Sequence, residues 1–294
     1  MARISLIGCG RWGRHILRDL IVLGCEVSVA DPDDEARRHA ALAGARKVAR
    51  DLGELPESEG TVIAATSSTH ASLIRRALAR GGPVFVEKPM VCNVREAEAL
   101  AAHAGGRLFV MDKWRYHPGI EALRRIRESG ELGRTLGMRV RQSGWGIPHR
   151  DVDVTWILLP HSLSVLLEVF GHLPEARWSF AEMLHGQVVA LTGVLGADPW
   201  AMVEVSARSP MKGRLFQLDC EDGVAWLDDG WADHLCVARG MGETAGDAPE
   251  VERRLLPAEM PLLKELRTFL EHLAGGPCPR SSAEEGALAV KRIH

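Results

Sequence analysis

The chain has 294 residues, 46% of them hydrophobic, with a formal net charge of -3 and a pI near 6.5. That balance offers no basic surface for nucleic acid or a membrane, so the expected partners are small molecules. No apolar run approaches the roughly 18 residues of a membrane span, and the first one is broken by Gly8 and Arg11 before a signal-peptide core develops, which predicts a cytoplasmic protein of two domains.

From residue 1 to about 115, short β-type runs alternate with helical periodicity. Strands are predicted near Arg3, Glu26, Thr61, Val84 and Leu108, and helices near Trp12, Asp33, Thr69 and Asn93. That alternation reads as a doubly wound parallel sheet. Asn93, with Glu96 three residues on, resembles a capping arrangement that opens a helix through Ala104. Beyond Tyr116 the pattern changes. A helix from Pro118 to Ser129 leads through Gly130 and Gly133 into a strand, Leu136 to Ser143. After a second helix come β-rich runs at Ala176 to Ala181, Val188 to Val194, Met202 to Ala207, Leu215 to Leu218 and Val224 to Leu227. Their hairpin-length connectors predict a mostly antiparallel sheet. Gly240 to Pro249 reads as a polar loop, and an amphipathic helix spans Leu262 to Leu273.

Gly8, Gly10 and Gly13 form a G-x-G-x-x-G turn directly after the apolar run Ile4 to Ile7 and directly before a helical pattern containing Ile16, Leu17 and Leu20. Such a turn needs glycine for its tightness, for close approach of a pyrophosphate, and for helix packing on the strand. The helix then directs free N–H groups and its positive dipole end at the phosphates. Asp31 follows the second strand and lies 18 residues beyond Gly13, near the roughly 20-residue offset of a carboxylate that holds a ribose diol. It would repel a 2'-phosphate, which favours NAD over NADP, although Arg37 and Arg38 soften that preference. The fold class is therefore α/β plus α+β: an N-terminal Rossmann dinucleotide-binding domain over 1–115, and a C-terminal substrate-binding and oligomerisation domain over 116–294 built on the antiparallel sheet.

The six cysteines, Cys9, Cys25, Cys92, Cys220, Cys236 and Cys278, form no C-x-x-C pair and have no zinc-type spacing. Each reads as a small apolar residue, no metal is expected, and nothing supplies a base beside Cys92. The strand Val84 to Val86 runs into Glu87-Lys88-Pro89, which sets a lysine at the carboxyl edge of a parallel sheet, where ligands of this architecture bind. A lysine there can stabilise developing charge on a substrate oxygen; the alternative is a surface lysine at a strand end. Pro89 restricts Lys88 to extended geometry and permits a cis peptide.

Gly8-Cys9-Gly10-Arg11-Trp12-Gly13, the segment Ala65 to His70, and Glu87-Lys88-Pro89 together resemble the Gfo/Idh/MocA family of sugar and polyol oxidoreductases. The likeness continues through Tyr116-His117-Pro118, Ser129 to Gly133, and Trp156 to Ser164, the last being similar to a W-D-L-x-P-H-D-x-S pattern of the nucleotide-sugar branch. It ends at Ala283 to Gly286. The resemblance implies cofactor contacts from Gly8, Gly10, Arg11, Trp12, Gly13, Asp31, Thr66, Ser67, His70, Glu87 and Lys88. Lys88 and His161 are implied as catalytic groups, with Lys88 binding substrate and His161 exchanging a proton. Pro160 suits a first helical turn, which predicts His161 near the positive dipole end and a neutral imidazole. His117, Trp145, Arg150, Asp153 and His161, with Lys88, are the expected substrate contacts, near Arg141 and His149; arginine forks suit phosphate and tryptophan faces suit sugar rings. Tyr116 reads equally well as packing.

One position departs from the pattern. The family's aspartate four residues before the histidine is Ile157 here, and Ser162 follows where an acid is usual. Either Lys88 then acts as the main acid/base, or Asp153, one helical turn before Ile157, compensates. The leading expectation is an NAD(P)-dependent oxidoreductase that transfers a hydride to or from a secondary alcohol or ketone of a sugar or nucleotide sugar, in a homodimer or homotetramer. A non-catalytic dinucleotide-binding regulator and a biosynthetic imine or carbonyl reductase stay open beside it.

Overall fold

Short runs of Val, Ile, Leu and Phe, buried on both faces, build the first sheet of the computed structural model, which describes residues 1–147, 152–240 and 249–294. The elements in order are β1 (Arg3–Ile7), α1 (Gly13–Val22), β2 (Glu26–Ala30), α2 (Asp34–Leu42), β3 (Lys47–Ala49), β4 (Gly60–Ile63), α3 (His70–Ala79), β5 (Val84–Glu87), α4 (Val94–Ala104) and β6 (Leu108–Met111). All pairings are parallel, in the order β3-β2-β1-β4-β5-β6. The strand order reverses between β1 and β4, and the crevice at the carboxyl ends there is where such sheets take ligands. Helix starts follow the local chemistry. Asp33 accepts from the Ala36 N–H at 2.8 Å, and Asn93 accepts from the Glu96 N–H at 3.0 Å, as the capping pattern predicts. The three-residue β3 lies outside the predicted strands; it is too short to show a period.

The second sheet belongs to another unit. Its elements are α5 (Pro118–Ser129), β7 (Thr135–Trp145), α6 (Val154–Phe170), β8 (Ala176–Leu184), β9 (Gln187–Gly196), β10 (Trp200–Ser206), β11 (Arg208–Cys220), β12 (Gly223–Leu227), β13 (His234–Arg239) and β14 (Val251–Leu255). The order is β14-β13-β12-β11-β7-β10-β9-β8. Every pairing is antiparallel except β7 with β10, so the sheet is mostly antiparallel as expected. β13 and β14 extend it beyond the predicted runs, and most of the predicted loop from Gly240 to Pro249 lies outside the described residues.

The chain then returns to the first unit with α7 (Pro261–Leu273) and α8 (Ala283–Ile293). Contacts divide the protein into Met1–Lys113 with Met260–Arg292 and His294, and Trp114–Glu259 with Ile293. By these contacts Met260–Arg292 joins the first unit, whereas the sequence reading assigns it to the second domain. The reason is apolar burial: Leu262, Leu266 and Phe269 join the core formed by Ile4, Leu6 and Phe85, and the Phe269 ring stacks on Phe85 with centroids 4.9 Å apart. The stripe on α7 demanded a partner, and sequence adjacency could not name it. Ser282 and Glu285 form a capping box that starts α8. Among the described residues no helix is long and apolar enough to cross a membrane.

Candidate active site

A cleft of about 640 Å³ opens at the carboxyl edge of the first sheet, lined by Gly8, Gly10, Asp31, Asp33 and Thr66 among others. The three glycines of the turn have three different reasons to be glycine. Gly8 sits at φ +90°, and a Cβ there would lie 2.6 Å from the Ala64 carbonyl oxygen; a Cβ on Gly13 would lie 2.2 Å from that of Gly8. At Gly10 a Cβ would meet nothing within 4 Å, so the space above it is open to a ligand. No side chain caps α1; its Arg14 and His15 N–H groups turn back to the Gly10 and Trp12 carbonyls at 3.0 and 2.9 Å, so what the helix offers an anion is its positive dipole end and the glycine turn ahead of it. These features fit a pyrophosphate.

Asp31 is buried, and backbone fixes its carboxylate: Oδ2 accepts from the Cys9 N–H at 2.7 Å and Oδ1 from the Asp33 N–H at 2.9 Å. Each oxygen retains a lone pair for a ribose hydroxyl. Arg37 donates to the Asp31 carbonyl at 2.7 Å and pairs with Asp34, while Arg38 donates to the Asp34 carbonyl at 3.3 Å. Neither lines the cleft; Arg14 and Arg50 do, beside Asp31, Asp33, Glu35 and Asp51. Acids outnumber bases there, which disfavours a 2'-phosphate. Asp31→Asn, which keeps the shape and removes the charge, is expected to weaken NAD binding about tenfold. Calorimetry that finds affinity within twofold of wild type rejects this role for Asp31.

Thr66 and Ser67 open the turn before α3. The Thr66 carbonyl accepts from both the N–H and the hydroxyl of Thr69, at 2.8 and 2.7 Å, and Thr66 lines the cleft whereas Ser67 does not. His70 is buried, with Nδ1 2.9 Å from the Pro89 carbonyl oxygen and Nε2 3.0 Å from that of Ala65. It therefore clamps the turn after β4 to the segment after β5. Arg11 is exposed. Trp12 reaches the end of β5, where its indole N–H donates to the Glu87 carboxylate. The Lys113 ammonium stands 4.2 Å over the same ring, a cation–π contact.

Glu87 ends β5, Lys88 follows it, and the Lys88–Pro89 peptide is cis. Both side chains are half-buried. Burial pushes the Glu87 carboxyl up from its ordinary value, against the lowering effect of Lys88, Trp12, Lys113 and His70. It pushes the Lys88 ammonium down, against Glu87 and Asp112, which hold the proton on. Lys88 is thus an ammonium that gives up its proton more readily than a free lysine, a property general acids share.

In the second unit, His161 lies well inside α6. Asp153 caps that helix, accepting from the Thr155 N–H at 3.0 Å, and Pro160 is an interior residue. The predicted helix start at Pro160 is therefore wrong: the cap lies seven residues earlier, and the positive dipole end does not act on His161. Asp153 stands roughly 12 Å from His161 along the axis, at 1.5 Å per residue, too far to orient its ring. Ser162 is buried and accepts from Gln142 Nε2 at 3.1 Å. Both ring nitrogens of His117 are engaged by backbone: Nδ1 accepts from the Gly119 N–H at 3.1 Å, and Nε2 lies 2.8 Å from the Gly230 carbonyl oxygen. It serves as the cap of α5 rather than as a substrate contact. Tyr116 is buried in packing. Trp145 is 74% exposed at the end of β7, and Arg141 is exposed on the same strand. His149 and Arg150 lie outside the described residues.

Sequence reasoning passed over Lys113, Arg14, Arg50 and Glu265. Glu265 had a signal, since it stands with Leu262, Leu266 and Phe269 at helical spacing on the apolar face of α7.

The family model for oxidoreductases with an NAD-binding Rossmann fold matches residues 2–109. An inositol 2-dehydrogenase from Ralstonia nicotianae is 31% identical, over an alignment covering 98% of this chain and 90% of that protein. Among solved structures, UDP-N-acetylglucosamine 3-dehydrogenase from Acidithiobacillus ferrooxidans has a TM-score of 0.86 at 22% identity, covering 99% of this chain and 95% of that one. Levoglucosan dehydrogenase, solved with NADH and levoglucosan, has a TM-score of 0.84 at 15% identity, covering 99% and 95%. These two likenesses show a shared fold. With the glycine turn, the Asp31 carboxylate and the lysine after β5 in their places, the chain belongs to the Gfo/Idh/MocA family of NAD-dependent oxidoreductases.

Proposed function

We propose that the protein moves a hydride between NAD and a secondary alcohol or ketone carbon of a sugar, cyclic polyol or nucleotide sugar, with Lys88 polarising the reacting oxygen and His161 exchanging its proton. The carrying observation is the place of Lys88. It directly follows β5, the strand beside β4, and the segment after β4 lines the cleft that fits the dinucleotide. When bound, NAD supplies the hydride acceptor at nicotinamide C4. Lys88 holds positive charge toward the oxygen, and its eased deprotonation makes it a second carrier for the one proton that His161 exchanges without the carboxylate that Ile157 replaces. Between the two compensations that the sequence left open, the Asp153 cap favours Lys88.

The substrate class is supported by the inositol 2-dehydrogenase relative, and the nucleotide-sugar option by the fold neighbour. Purified protein supplied with NAD or NADP is expected to form NADH on at least one member of a panel of inositols, aldoses and UDP-sugars, with NAD preferred. Failure to bind either dinucleotide by calorimetry would falsify the proposal. Ile157 favours a second reading, a regulator that binds NAD without turnover; binding with no reaction across the panel supports it.

The reading extends to a cytoplasmic homodimer or homotetramer. It is supported by β8, exposed at every residue, with Trp178 and Phe180 each 57% exposed on one face. Sedimentation that finds only monomer rejects this part.

A further inference from the structure

The Glu87 carboxylate, at the end of β5, uses both of its oxygens inside the first unit. Oε1 accepts the indole N–H of Trp12, and Oε2 accepts the backbone N–H of Lys88 at 3.2 Å. Trp12 belongs to the glycine turn, between Gly10 and Gly13. One side chain therefore joins the turn that fits the pyrophosphate to the main chain of the lysine, across 75 residues of sequence. Hydrogen bonds to an ionised acceptor are roughly twice as strong as neutral ones, which suits a carboxylate to such a joint.

Both ends of the joint are held. On the turn side, the Lys113 ammonium stands 4.2 Å over the Trp12 ring, the His15 ring meets that ring edge-on with centroids 5.6 Å apart, and the Trp12 carbonyl accepts from the His15 N–H at 2.9 Å. On the lysine side, the Pro89 carbonyl oxygen lies 2.9 Å from Nδ1 of the buried His70. Lys88 is thus fixed on one flank through Glu87 and on the other through Pro89, which also keeps it out of helical geometry. The root of the side chain is set, and with it the range of points that the ammonium reaches. Packing the turn on β5 needs no polar joint, since an apolar pair would do so without the desolvation cost of a carboxylate. What the hydrogen bonds add is direction.

We propose that Trp12 and Glu87 are positioning residues: their hydrogen bond registers the main chain of Lys88 to the glycine turn, so that a dinucleotide seated on the turn and an oxygen facing Lys88 are held at a fixed offset. This rests on the assignment of Lys88 to the reacting oxygen.

Trp12→Phe removes the indole donor and keeps an aromatic face under Lys113. In nuclear magnetic resonance of the ligand-free variant, the Lys88 amide hydrogen is expected to exchange with solvent roughly tenfold faster than in wild type, while the buried Leu17 and Leu20 on α1 keep wild-type rates. An unchanged Lys88 rate rejects the joint, and so does equal acceleration at all three amides, which a general loosening of the unit gives. Glu87→Met removes both acceptors at similar volume; it must speed the same amide, and adding Trp12→Phe to it must speed that amide no further. Wild-type protein alone must show the Trp12 indole hydrogen slow to exchange; prompt exchange rejects the proposal even where neither variant folds. None of these measurements needs a substrate.

Turnover on the panel of inositols, aldoses and UDP-sugars supplies a second readout. Trp12→Phe is expected to lower kcat about tenfold with NADH affinity within about threefold of wild type. In a Lys88→Ala background it should cause no further loss, because it acts only through that lysine. An unchanged kcat, a loss that persists without Lys88, or a loss in NADH affinity in place of kcat overturns the proposal. Lys88→Ala with full turnover would instead reject the catalytic assignment of Lys88, so the two failures are told apart.

Discussion

Lys88→Ala is expected to lower kcat by roughly 10²–10³-fold, the usual cost of removing a positioned proton donor or oxyanion partner. NADH affinity should stay within a few-fold of wild type, because the open space at Gly10, the uncapped start of α1 and the Asp31 carboxylate are all elsewhere in the first unit. The split between kcat and cofactor affinity is the diagnostic, as it separates a group acting on the reacting oxygen from one acting on the dinucleotide. A change in charge balance comes with it. The Lys88 charge is the first influence that holds the Glu87 carboxyl down against burial, so in the variant Glu87 is expected to retain its proton to higher pH and to weaken its pairing with the Trp12 indole. Lys88→Arg should not restore activity, since a planar guanidinium neither fits a point-charge site nor gives up its proton. Steady-state kinetics with NADH titration by fluorescence measures both quantities; a kcat loss below fivefold removes Lys88 from the chemistry.

The residues that could be read directly from sequence are those whose meaning is local. Gly8, Gly10 and Gly13 require a particular backbone over six positions, Asp31 follows its strand at a set offset, and Lys88 is named by the dipeptide around it. Each constraint acts within one supersecondary unit, so the first sheet, its helices and the cofactor cleft are legible without coordinates. The errors share another origin. Pro160 has the same sequence signature at a first helical turn and in a helix interior, and only the Asp153 cap distinguishes them. His117 looks like a free imidazole until the Gly230 carbonyl, more than a hundred residues on, is brought to its Nε2. α7 declares an apolar face, yet nothing near it states that Phe85 is what the face meets. Glu265 is the sharpest case. Its position among Leu262, Leu266 and Phe269 marks it as a buried acid, but the charged groups that act on it, Glu87, Asp112 and Lys113, lie at or just past the ends of β5 and β6, far earlier in the chain.

The helix that carries His161 is anchored by charge, and breaking that anchor should have the largest stability effect. Glu168 on α6 is buried; its Oε2 lies 3.1 Å from Arg115 Nε and its Oε1 lies 3.2 Å from Arg124 Nε. Arg115 sits in the 3₁₀ turn before α5 and Arg124 on α5, so one carboxylate ties three segments of the second unit. Such a group adds little over an apolar replacement that fits, but deleting one partner strands the other charge. The Arg115 side chain is only 10% exposed. Glu168→Ala is therefore expected to destabilise the second unit by about 3–5 kcal/mol, which lowers its melting temperature by roughly 10 °C. Arg124, one-third exposed, can turn its charge to water, so Arg124→Ala should cost about 1 kcal/mol or less. The double variant Arg115→Met with Glu168→Leu recovers most of the loss if the stranded arginine is its cause. A Glu168→Ala melting temperature within 2 °C of wild type shows that water reaches Arg115 after all. Glu168 lies two helical turns from His161 on a helix packed against β7, β9 and β10, so kcat at temperatures well below the transition should fall far less than stability does. That separation is what a residue holding the scaffold of His161 should give, and it is the reverse of the outcome expected for Lys88.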